Sequence, residues 1–167
     1  MARLWGLLGL YGAAKKLVAR RRGSEPPLDA LTLVAAAQLA SLVVFQAAEN
    51  VAFLSGKKVL PGSAALQARL GLLSVRAWGL YVAMEAARLL VERRRKQEGE
   101  EEKSAAADKT AWQGQWNKSF YRNLAWAPLT LHWGSATGGF LPDVAISLLG
   151  FYPAWGAMTD LWRETRS

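Results

Sequence analysis

Residues 30–48 carry no charged side chain, and this run constrains the fold more than any other feature. It is rich in Ala, Leu and Val, with Thr32, Gln38, Ser41 and Gln46 as polar interruptions. A helix rises about 1.5 Å per residue, so the run can cross a hydrocarbon layer of about 30 Å. The other reading of such a segment is a buried helix in a soluble core. Gln38 and Gln46 are eight positions apart and share one side of a helix. In a bilayer that side points at another helix, because a lipid-facing amide has no hydrogen-bond partner.

Hydrophobic residues form 51% of the 167-residue chain and charged residues 20%, but the two classes are segregated along it. A soluble amphipathic domain mixes them at helical period, whereas a membrane protein separates them. The net charge of +8 suits nucleic acid or an anionic membrane surface. Placement favours the membrane: Lys15, Lys16, Arg20, Arg21 and Arg22 precede the uncharged run, Lys57 and Lys58 follow it, and the basic run 93–96 follows the next apolar segment. No recognisable nucleic-acid module is present. The chain has no cysteine, which removes disulfides, thiolate metal sites and thiol nucleophiles.

Residues 1–22 read as a helix with Leu4, Leu7, Leu8, Tyr11, Ala14 and Val18 on one face and Gly6, Gly9 and Gly12 on the other. Its charge follows the apolar part, which argues against a cleaved secretory signal. A basic helix lying in the membrane interface and an ordinary packing helix both fit. Gly23, Ser24, Pro26 and Pro27 break the chain after it. Residues 64–92 form a long helix with Leu70, Leu73, Ala77, Leu80, Tyr81 and Met84 on one face and Arg69, Arg76 and Arg88 interrupting the rest, so an interfacial or bundle-packed helix is expected. Residues 93–111 read as a charged internal linker between helical halves of a single membrane domain, 1–167.

Beyond the linker, Trp112, Trp116, Trp126 and Trp133 alternate with Lys118 and Arg122, a mixture suited to the headgroup region. Residues 138–158 hold only Asp143 as a charge and form a second expected span, with Pro142 and Pro153 distorting it. The expected fold is therefore all-α: a helical integral membrane protein with two transmembrane spans plus amphipathic or interfacial helices.

Chemistry-bearing residues do not converge. His132 is the single histidine and has neither cysteine nor carboxylate nearby in sequence, so it reads as an interfacial or packed residue. Asp143 reads as a wetted acid at a helix start, with a functional intramembrane acid as the alternative. Gly134 and Gly138 match the Gly-x-x-x-Gly pattern of close helix approach. The expectation is a protein that is not an enzyme and has no cofactor. Lys15, Lys16, Arg20, Arg21 and Arg22 would touch anionic lipid, and Gln38, Gln46, Gly134 and Gly138 would mediate helix association.

Several motifs in order carry a resemblance. They are the opening Arg3-Leu-Trp-Gly-Leu-Leu-Gly-Leu-Tyr11, then Glu49-Asn-Val-Ala-Phe-Leu-Ser55 followed by Lys57-Lys-Val-Leu60. Later come Arg122-Asn123, Pro128-Leu-Thr-Leu-His-Trp133, Leu149-Gly150 and Asp160-Leu-Trp162. Together the chain resembles the peroxin-11 family of peroxisomal membrane proteins, in particular its fungal C-type branch. The resemblance implies a peroxisomal membrane location and a role in elongating and remodelling peroxisomes before division. It also implies self-association and cooperation with the organelle fission machinery; some family members are thought to act as pores for small metabolites. The chain departs from the family at the amino end, where members run longer and a short or truncated form is expected. It also departs at Ala125-Trp-Ala-Pro128, where an acidic residue more often precedes the proline. Three functions follow for comparison: membrane remodelling, an oligomeric pore, and a soluble helical adaptor.

Overall fold

Each apolar stretch of the sequence becomes one helix in the computed structural model, which describes residues 2–22, 30–99 and 106–166. The helices are α1 (Ala2–Arg22), α2 (Ala30–Gly56), α3 (Ala64–Gly99), α4 (Ala106–Gly134) and α5 (Asp143–Glu164). No strand occurs among the described residues.

α2 does not stop at Glu49 and Asn50 but continues to Gly56. Its segment Thr32–Gly56 is the one described stretch long and apolar enough to cross a membrane. Beyond it, the Lys57 and Val59 amides donate back to Phe53 and Leu54 carbonyls at 3.0 and 2.9 Å, and Lys58 turns the chain with φ 59°. Ser63 then caps α3, its hydroxyl accepting the Leu66 N–H at 3.2 Å.

The second expected span, 138–158, is corrected. Gly138 lies in the α4–α5 connection at φ 97°, a conformation that favours glycine, and α5 begins only at Asp143. The uncharged part of α5, 144–159, extends about 24 Å at helical rise, short of a hydrocarbon core of about 30 Å. Helical backbone also enters the region read as a linker: α3 carries the basic run 93–96 on to Gly99, and α4 starts at Ala106. Residues 100–105 lie outside the described ones.

Packing follows chain order. α1 packs on α2, α2 on α3, α3 on α4 and α4 on α5, and no other pair of helices is in contact among the described residues. Neighbours run antiparallel: Gln38 and Ser41 of α2 meet Glu85 and Ala77 of α3, while Trp116 and Asn123 of α4 meet Leu89 and Val82. Gly6 meets Gln46, and both lie equally far along the chain from the α1–α2 connection, so α1 is antiparallel to α2 as well. The result is a layer one helix thick. A water-soluble domain buries its apolar faces between two layers; here Val82, Leu89, Trp116 and Leu129 are the large apolar side chains that become buried.

Candidate functional site

The α2–α3 seam is lined by polar and small side chains, and the α3–α4 seam mixes Asn123 and Thr130 with the buried Val82, Leu89, Trp116 and Leu129. Gln38, Ser41, Ala48 and Ser55 of α2 recur at intervals of three and seven residues, and all are buried against the layer. The Ser41 hydroxyl donates to the Ala77 carbonyl at 2.5 Å. Gln38 Nε2 donates to Glu85 Oε2 at 2.8 Å, and Glu85 is forked by Arg88. Between α3 and α4, Trp116 Nε1 donates to the Leu89 carbonyl at 2.9 Å and Asn123 Nδ2 to the Val82 carbonyl at 2.9 Å. These bonds tie side chains of one helix to another helix, a mode of association suited to lipid.

The outward faces are apolar. Leu33, Val43 and Val44 on α2, Leu73 and Leu80 on α3, and Leu124 and Leu131 on α4 are exposed, Leu131 to 67%. α5 carries the longest stripe: Val144, Leu148, Phe151, Trp155, Met158 and Trp162 are exposed at alternating three- and four-residue steps. Its other side faces α4, where Asp160 accepts from Arg122 at 2.7 Å and Lys118 at 3.1 Å. Arg122, and then Lys118, hold the Asp160 carboxyl below its usual range. Gly156 permits this approach, since a Cβ there would overlap the Arg122 guanidinium.

The residues singled out for helix association separate. Gln38 joins α2 to α3, whereas Gln46 packs against Gly6, where an added Cβ would lie 2.6 Å from Gln46 Oε1. Eight residues turn a helix by more than two full turns, and the residual rotation aims the two amides at different neighbours. Gly134 ends α4 and its carbonyl accepts from Arg76 Nε at 3.1 Å, while Gly138 stands in the following connection. The two glycines therefore do not form one helical face, because the helix ends between them. Lys15 and Lys16 are exposed on α1. The side chains of Arg20, Arg21 and Arg22 lie outside those described.

His132 is engaged in the connection to α5: its Nδ1 accepts the Leu141 N–H at 2.8 Å, and its ring meets Phe140 edge-on at 5.7 Å. Asp143 opens α5, where a negative charge suits the positive end of the helix dipole. Among the described residues no group of three His, Cys, Asp or Glu side chains is placed to hold a metal ion.

In sequence Trp116 reads as a headgroup residue and Asn123 as part of a motif, and neither is singled out there as a contact of α3. Trp116, Asn123 and Thr130 recur every seven positions along the buried side of α4, a repeat that points to the α3 contact. No protein-family model, curated protein or solved structure matches the chain.

Proposed function

We propose that the chain is a non-enzymatic integral membrane protein that acts by inserting and associating helices in the bilayer. The observation that carries this reading is the inverted distribution of side chains. Gln38, Ser41, Asn50, Ser55, Asn123 and Thr130 are buried, while leucines, valines and aromatics cover the outside. Water would drive the opposite arrangement, since extended exposed apolar surface is unfavourable in a soluble monomer. In hydrocarbon, polar groups gain by facing one another and apolar side chains meet lipid without penalty.

The tryptophans support the same placement. Trp116, Trp112 and Trp162 lie beside Arg93, Lys96 and Arg166, the pairing of ring and cation enriched at membrane interfaces. α2 is the span, and the charged α3 rides beside it with Glu85 and Arg88 satisfied by each other.

The biological role we propose is the one the peroxin-11 resemblance implies: residence in the peroxisomal membrane and elongation of the organelle before division, with self-association. Inserted apolar faces on α1 and α5 take up area in a leaflet and favour curvature. The pore reading has less support, because Gln38 is buried and bonded to Glu85 within the layer. The test is a fluorescently tagged full chain in a fungal cell with marked peroxisomes. Peroxisomal location with longer or more numerous organelles is the expected result. Location elsewhere contradicts the peroxisomal role.

A further inference from the structure

The antiparallel layer gathers charge that the sequence scatters. α1, α3 and α5 end where α2 and α4 begin. One end of the layer therefore carries Lys15 and Lys16 of α1, the basic run 93–96 of α3, Lys109 of α4, and Arg163 and Arg166 of α5. The other end carries Lys57, Lys58, Arg69 and Arg76. Near the richer end Glu92 pairs with Arg88 at 3.1 Å and Asp160 with Arg122 at 2.7 Å, while Glu98, Glu100, Glu101 and Glu102 follow the basic run in sequence.

Aromatic rings stand at the same end. Arg93 lies 4.7 Å from the Trp116 ring, Lys96 5.6 Å from Trp112 and Arg166 5.3 Å from Trp162. Tryptophan beside Lys or Arg is the combination favoured at the lipid headgroups.

We infer that this composite end is a surface for anionic phospholipid, and that α2 therefore crosses with its Thr32 end toward the anionic, cytosol-facing leaflet. The inference rests on the membrane reading above and adds an orientation to it. Orientation follows the Lys and Arg residues near a span, and acidic residues contribute little. Along the sequence the flanks of α2 are both basic and leave the direction open. In the fold, α3 returns its basic run to the Thr32 end, and α4 and α5 add theirs. The anionic leaflet attracts that end and the opposite end is translocated.

The chain has no cysteine, so any introduced cysteine is its sole thiol. Gln97→Cys and Gln113→Cys mark the basic end, and Val59→Cys and Ala136→Cys the opposite one; all four positions are exposed. The full chain is expressed in cells, sealed membranes are collected with the cytosolic face outward, and a membrane-impermeant maleimide is added. Gln97→Cys and Gln113→Cys should label at least tenfold faster than Val59→Cys and Ala136→Cys, which should react only after detergent.

The reverse pattern, or equal labelling at all four positions, overturns the orientation. Carbonate extraction of the same membranes separates the two levels of the argument. A chain that washes off fails the membrane reading itself; one that stays but labels in reverse fails the orientation alone. A variant with Lys15→Gln, Lys16→Gln, Arg94→Gln and Arg95→Gln should acquire mixed orientation, with Val59→Cys becoming reactive in sealed membranes. An unchanged orientation in that variant overturns the role given to the basic end.

Discussion

Gln38 on α2 reaches across to α3 and donates its side-chain amide to Glu85 at 2.8 Å. The same carboxylate receives Arg88 Nε at 2.9 Å and Nη2 at 2.7 Å, so one acidic group fastens the helix pair. Gln38→Leu removes one donor and leaves the Arg88 fork intact, which should cost about 1 kcal/mol. Glu85→Ala strips Gln38 and Arg88 of their shared partner and should cost about 2–3 kcal/mol. Denaturant unfolding in detergent micelles measures both; equal effects would contradict the shared-carboxylate account.

Close approach of α2 and α3 depends on small side chains. Ala77 is buried at the seam and its carbonyl accepts the Ser41 hydroxyl. Ala77→Leu forces the helices apart and should destabilise the pair by about 1–3 kcal/mol. A Leu accommodated without loss of stability would show that the seam is not close-packed.

Val44 faces outward on α2. On a soluble surface Val44→Asp would change stability by less than about 0.5 kcal/mol. Facing lipid near the middle of a span, the same change should disfavour insertion by about 3 kcal/mol. The fraction recovered in the membrane pellet reports which environment Val44 occupies, and an undiminished pellet contradicts lipid exposure.

Asp160 ties α5 to α4 through Arg122 and Lys118. Its carboxyl is held below the usual range, first by Arg122 and then by Lys118. A depressed carboxyl contributes stability above its unfolded value and loses it as pH falls through the folded one. Attachment of α5 should therefore be full at neutral pH, begin to weaken as pH falls into the ordinary carboxylate range, and be lost once pH passes below the depressed folded value. Asp160→Asn should loosen α5 at neutral pH, read as faster proteolysis within α5, and should abolish the acid-dependent step, so that variant and parent converge in strong acid. Identical proteolysis of variant and parent would contradict the latch.

Much of the helical fold is legible in the sequence, and the reasons for the exceptions are physical. The uncharged run 30–48 is enough to announce α2, but its end is not, because Glu49 and Asn50 look like a boundary and instead lie within the helix. Gln38 was recognisable as an associating residue from its isolation in an apolar run. Its partner Glu85 was hidden in a helix whose charges read as a sign of the interface. Gly134 and Gly138 have the spacing of a helix-packing pair, yet spacing alone does not reveal that α4 ends at Gly134. The basic end is the least legible feature, since its lysines and arginines come from four helices brought together only by antiparallel packing.

The central claim, that this inside-out layer is integral to a bilayer, is tested most directly by alkaline carbonate extraction of membranes containing the full chain. The account predicts that the chain stays in the pellet with integral proteins and leaves only when detergent dissolves the bilayer. Quantitative release into the carbonate supernatant would contradict it and return the chain to the soluble helical adaptor.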